Sequence, residues 1–536
     1  MGNNRNTGDD MFKKISMLLI AVATLLGTAA TSPAVDFNIK GVWNMNFEYG
    51  SGGNFTERGR SVNDSKAAHV TGWGRYGEDQ FEAKSRVRLQ LDAVASEALS
   101  GTVYFEIGSM TWGRSGKGGA LGADANNVVK LKHSYLDWVA PETNVKVRMG
   151  IQRIFLPDFV TEASQVFDAD VAGLVVSAPV NNKLSVSGFW VRPYNDNWAG
   201  DAQSPQNYLD NFDIFGLAAP VRLDGVNFTP WAMLGMFGSN TFRAGNDFYG
   251  KNASGSGALG LSPAVYALKD SKVGRQIADA YSSVLWAGIT GEVVAFDPFR
   301  IAASFNYGTL DTGVEALNRK GWYSALLAEY KLDWGIPGVY GWYSSGDDDN
   351  IKNGSERIPN VEANNESTNA ISSFGTLGTW TLGRDTLIGS TFAGTWGVGA
   401  RIKDVSFFDK LKQTFHVNIL GGTNSPAMAK YIKGAKDVDG HTSFTPDTGK
   451  GFADFNSANC YGLYLTTQDY AAEFGITTIY QIYANLRLLV ETNYIALWLD
   501  QSRGVWGGYT SANGARMGAN STTDAWNVNV SFIYKF

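Results

Sequence analysis

The chain lacks what a stapled, metal-built or helical membrane protein needs. A single cysteine, Cys460, excludes an intramolecular disulfide framework. The four histidines, His69, His133, His416 and His441, are scattered and have no Cys/His/Asp constellation beside them, so no metal site is expected. Neither G-x-S-x-G nor H-E-x-x-H occurs, and no nucleophile stands with a base, so no enzyme activity and no cofactor are expected. Positive charge is in deficit: 45 Lys and Arg against 51 Asp and Glu give a net charge of −6, which argues against nucleic acid as a partner. Proline is scarce, at 14 residues, and no Pro/Ser-rich linker marks a domain boundary. Beyond the N-terminus no uninterrupted apolar run reaches the roughly 20 residues of a spanning helix, so any membrane span must be built from strands.

The N-terminus carries the one concentrated apolar run. Lys13 and Lys14 precede Ile15 to Leu26, and small residues follow to Ser32-Pro33-Ala34, the pattern of a secretory signal with cleavage after Ala34. Residues 1–34 therefore read as a signal peptide, with Met11 as an alternative start, and 35–536 as one domain.

What the remainder has in quantity is alternation. At the C-terminus Trp526, Val528, Val530, Phe532, Tyr534 and Phe536 fall on one face of a strand, and Asn527, Asn529, Ser531 and Lys535 on the other; Ile533 alone breaks the pattern. From Val35 to Tyr49, Phe37, Ile39, Trp43, Met45, Phe47 and Tyr49 oppose Asn38, Lys40, Asn44, Asn46 and Glu48. Val87, Leu89 and Leu91 oppose Arg86, Arg88 and Gln90, and Val145, Val147 and Met149 oppose Lys146 and Arg148. Short connectors such as 96–100, 140–144, 332–335 and 481–485 alternate with long polar ones such as 50–80, 113–127, 238–281 and 345–394. A transmembrane antiparallel β-barrel has this two-beat rhythm, with short periplasmic turns and long external loops. Counting hairpins predicts about 18 strands, with 16 as the alternative, in the bacterial outer membrane. A barrel of that size encloses a water-filled lumen.

Three groups of segments carry a family likeness: Tyr135-Leu136-Asp137-Trp138 with Val147-Arg148-Met149-Gly150, Phe415-His416-Val417-Asn418 leading into Gly421-Gly422-Thr423-Asn424-Ser425-Pro426, and the terminal Tyr534-Lys535-Phe536. In these the chain resembles the outer-membrane homotrimeric porins of sulfate-reducing bacteria, which are general-porin-like. The resemblance implies a homotrimer and passive diffusion of small hydrophilic solutes and ions.

Within such a barrel, Lys84, Arg86, Arg88, Lys130, Lys132, Lys146 and Arg148 form a pore-lining basic ladder, and their summed field favours anions weakly. The connector from Ile154 to Asp170 offers Asp158, Glu162, Asp168 and Asp170 as acids of a constriction loop facing that ladder. Trp526, Tyr534 and Phe536 form the signal expected for the outer-membrane insertion machinery, their rings at the lipid interface. Asp347-Asp348-Asp349-Asn350 with Gly354 and Glu356 suggests a calcium loop, but the spacing does not match the EF-hand. Two functions remain: a porin for passive diffusion, or a substrate-specific uptake channel whose long loops build a binding site.

Overall fold

The computed structural model describes residues 35–51, 80–195, 211–238, 281–361, 392–428, 465–500 and 524–536, apart from positions 117, 123, 163 and 351, together with 209, 261, 372, 509–510 and 516–517. The expected signal peptide, His69, His441 and Cys460 lie outside the described residues.

Eighteen antiparallel strands make one closed sheet: β1 (Asp36–Ser51), β2 (Gln80–Ser96), β3 (Leu99–Thr111), β4 (Val129–Val139), β5 (Lys146–Phe155), β6 (Asp168–Pro179), β7 (Ser185–Asn195), β8 (Asn211–Ala218), β9 (Val226–Gly238), β10 (Tyr281–Val293), β11 (Phe299–Asp311), β12 (Arg319–Tyr330), β13 (Ile336–Ser344), β14 (Thr395–Val405), β15 (Leu411–Gly422), β16 (Tyr470–Tyr483), β17 (Leu486–Trp498) and β18 (Ala525–Lys535). Pro220 has no N–H to give a ladder, so β8 breaks there and resumes as Val221–Leu223, which pairs with the same neighbour, β9.

Closure runs through β1, which pairs with β2 on one side and β18 on the other. Gly41 and Phe536 exchange two backbone hydrogen bonds, 2.9 and 3.1 Å, at the seam. Gly41 is required there by space, because a Cβ would stand 2.4 Å from the Phe536 ring.

Period-two alternation fixes which face turns outward. Ile39 is 63 % exposed and Phe37 54 %, whereas Asn46 and Glu48 on the opposite face of β1 are buried. On β18 Trp526, Phe532 and Tyr534 point out beside β1, with Trp526 edge-on to Tyr49 at 5.2 Å; Asn527, Asn529 and Ser531 are buried on the inner face. The outer wall exposes Trp, Phe, Leu and Ile, and the closed ladder leaves no sheet edge unpaired among the described residues. None of the described helices is long and apolar enough to cross a membrane.

Candidate functional site

The inner face of β2 to β5 carries the basic residues in cross-strand register. Lys84 and Arg86 pair with Asn46 and Asn44, Arg88 with Glu106, Glu106 with Lys130, and Asp137 with Arg148, which places all of them on the lumen side. Carboxylates are interleaved with the cations. Lys84 Nζ lies 2.7 Å from Glu48 and 2.8 Å from Glu82; Glu106 accepts Arg88 at 2.8 Å and has Arg86 and Lys130 within 4.0 Å. Arg148 makes a bidentate pair with Asp137 at 2.6 and 2.7 Å while lying over the Tyr135 ring at 4.1 Å. Lys132, displaced by the irregularity in the β3–β4 register, binds Asp170. Lys146 alone of the seven has no carboxylate partner among the described residues. Alternation had placed Glu48 on the inner face but it was not set against the ladder, and Glu82, Glu106 and Asp137 were missed because the cations were tallied strand by strand; the same alternation that placed the arginines would have placed them.

The β5–β6 connector turns into the barrel. Ser304 of β11 donates to Asp158 Oδ1 at 3.0 Å, the Phe159 N–H donates to Thr290 Oγ1 of β10 at 2.9 Å, and Arg300 Nη2 of β11 donates to the Phe159 carbonyl at 2.8 Å. β10 and β11 are not sheet neighbours of β5 or β6, so these bonds span the lumen. Asp158 also caps the N–H groups of Val160 and Thr161 at 2.8 and 2.9 Å, and burial pushes its carboxyl above the ordinary aspartate range. Glu162 is exposed on this segment, with φ +60°.

Asp168 and Asp170 stand elsewhere than on that connector. The apolar run Val171 to Val176 extends back to pair with Arg153 to Phe155, so both belong to β6. They share the strand face of Phe155, which is 57 % exposed; Arg153 binds Asp168 at 2.8 Å, and His133 lies 2.8 Å from Asp170.

Opposite the basic wall the interior is packed. Phe212, Phe237, Trp286 and Tyr323 are fully buried on inner faces, joined by Leu156, Val160, Val166 and Phe167 from the inturned connector and by Ile358, Val361 and Phe392 from the β13–β14 connector. Trp286 Nε1 donates to the Pro359 carbonyl at 2.8 Å, Arg319 to the Arg357 carbonyl at 2.8 Å, and the Val361 N–H to the Val166 carbonyl at 3.0 Å. The water-filled lumen expected from barrel size is thus narrowed on this side. A sequence signal existed: in Val284-Leu285-Trp286 both faces are apolar, more than a wall between lipid and water needs.

Below this core Glu329 accepts Arg300 at 2.9 Å, Arg401 at 2.9 Å and Lys403 at 2.8 Å, and Glu292 accepts Arg300 at 2.8 Å. In the Asp347 loop the oxygens are turned to protein donors: Ser355 to Asp347, Asn353 to Asp348 at 2.8 Å, and the Asp348 N–H to Glu356 at 2.9 Å. Burial, then the neighbouring Asp347 and Asp348, pushes Glu356 up. Among the described residues no group of three metal-ligating side chains is found.

No protein-family model matches the chain, and no curated protein matches its sequence. Among solved structures it is similar to three proteins of Pseudomonas aeruginosa. They are the outer membrane protein OprD (TM-score 0.48, 9 % identity, 95 % of each chain covered), OpdL (0.47, 8 %, 94 % of this chain and 99 % of that one) and OpdK with vanillate (0.43, 10 %, 93 % and 99 %). Identity this low assigns no solute.

Proposed function

We propose that the chain is an outer-membrane channel that passes small hydrophilic solutes and ions through a narrowed, charge-lined lumen, acting as a solute-selective uptake channel rather than an unselective pore. The observation that carries this reading is the bonding of Asp158 and Phe159 across the barrel to Thr290, Ser304 and Arg300, which sets the inturned segment inside the lumen, and we infer that the aperture lies between that segment and the basic wall. A solute passing there meets fixed donors and acceptors at close range, so hydrogen-bonding and charge decide passage along with size. Six of the seven cations have carboxylates within ion-pair distance, which supports only a weak preference for anions. OpdK, one of the similar barrels, was solved with vanillate, an aromatic carboxylate.

Export by a cleaved signal over residues 1–34, insertion directed by Trp526, Tyr534 and Phe536, lipid around the outer wall, assembly as a homotrimer and kinship with the porins of sulfate-reducing bacteria belong to the same proposal. The sequence pattern supports the first three, and the quoted segments support the last two. Reconstitution into a planar bilayer with a salt gradient tests the whole. Stepwise conductance with block by one class of solute at low concentration is expected. Ohmic conductance with no solute blocking would return the reading to passive diffusion, and no conductance at all would overturn it.

A further inference from the structure

The lumen has a second feature at its turn end, apart from the aperture. Val139, Lys146, Ser177 and Ser187 are successive partners in cross-strand register on β4, β5, β6 and β7, and all four share the inner face that Arg148 and Gln152 also occupy. They line a cavity of about 600 Å³ at the mouth where the short turns gather, with Glu97 and Pro179 also in its lining. That volume lies within the range of small-molecule sites.

The chemistry of the cavity is specific. Lys146 is exposed and has no carboxylate partner among the described residues, so its ammonium has donors to offer. The hydroxyls of Ser177 and Ser187 stand 2.8 Å apart. One donates to the other, and the acceptor of that pair keeps its own O–H to give to a third atom. Val139 and Pro179 supply an apolar floor. Glu97 disfavours a multiply charged anion while leaving a singly charged one tolerable.

We propose that this cavity is a monocarboxylate-binding station at the periplasmic mouth of the lumen, where Lys146 and the Ser177–Ser187 pair hold the carboxylate and Val139 and Pro179 meet a short apolar body. The inference deepens the channel reading and rests on it for its place on a transport path, since a solute leaving the aperture passes Lys146 before reaching the periplasm. The binding itself does not depend on that reading.

The test is ¹⁹F NMR of 4,4,4-trifluorobutyrate with the detergent-folded full barrel, which reads binding without current flow. The wild type broadens the probe signal in a saturable way. Lys146→Gln weakens binding by about tenfold, through loss of a charge-assisted hydrogen bond, and Ser177→Ala with Ser187→Ala weakens it by less. Lys146→Arg keeps the charge and retains most of the affinity, which separates loss of the site from loss of fold. Lys412→Gln, at the same end of the barrel on β15 and paired with Asp404, controls for charge removal and leaves binding unchanged. No broadening by the wild type, or equal affinities for the Lys146→Gln and Lys412→Gln variants, overturns the proposal. A barrel that binds the probe yet carries no current would instead sink the channel reading and leave the site standing.

Discussion

Two stretches of the barrel wall, a wet half and a packed half, present contrasting inner faces, although the second keeps the Arg300–Glu292–Glu329 ion pairs below its core. Along β2 to β5 the inner face is a lattice of ion pairs, with Lys84, Arg86, Arg88, Lys130 and Arg148 set among Glu48, Glu82, Glu106 and Asp137. Along β8 to β12 it is a packed core in which Phe212, Phe237, Trp286 and Tyr323 meet two inturned connectors. Water in the lumen can serve the first face, whereas the second must exclude water to gain from its apolar area. The packed half anchors the inturned segment through Thr290, Ser304 and Arg300, and the wet half leaves its charged side chains toward the lumen.

The largest expected effect separates the halves by stability. Trp286→Ala removes a fully buried ring and its hydrogen bond to Pro359, and costs roughly 3–5 kcal/mol. Arg88→Gln, in the wet half, costs on the order of 1 kcal/mol or less, because its ion pair is partly screened. Heat-modified gel mobility against temperature measures both; equal shifts would erase the distinction.

Selectivity gives the next effect. Replacing Arg86, Arg88 and Arg148 together by Gln leaves Glu106 and Asp137 with less compensation. The zero-current potential moves toward cation preference at low salt. The shift shrinks as the Debye length falls from roughly 30 Å at 0.01 M to 3 Å at 1 M.

A smaller effect follows from Asp158. Its carboxyl titrates higher when packed in the barrel than when free, so the packed arrangement holds more protons and is favoured at acid pH. As pH rises from the ordinary aspartate range, about 3.9, to the raised native value, that preference is lost. Single-channel conductance therefore increases with pH over this window, and Asp158→Asn flattens the dependence. A conductance that falls with rising pH would reverse the sign.

The wet half was largely legible in the sequence, because alternation of charge with Val, Leu and Met gives both the strand and its inward face. Closure, the even strand number and the rhythm of turns and loops followed from the same period. The packed half left only a faint mark, apolar residues on both faces as at Val284-Leu285-Trp286, and a period-two pattern does not say what an inward Trp286 packs against; the register and the chords drawn by Asp158, Phe159 and Pro359 show that the interior is filled. Asp158 lies on the connector as expected, but it turns to Ser304 on the far wall and not toward the basic ladder. Asp168 and Asp170 were assigned to that connector because β6 begins three residues before its apolar run, where pairing with Arg153 to Phe155 rather than hydrophobicity sets the boundary.

The central claim is that the segment around Asp158 and Phe159 narrows the lumen by bonding to the far wall. Single-channel conductance of the variant Thr290→Val with Ser304→Ala, which removes two of its anchors, tests this most directly. In symmetric 1 M KCl the account predicts a conductance about doubled over the wild type, with block by solutes weakened, since the aperture sets the resistance. A folded, inserted variant that conducts like the wild type would contradict it.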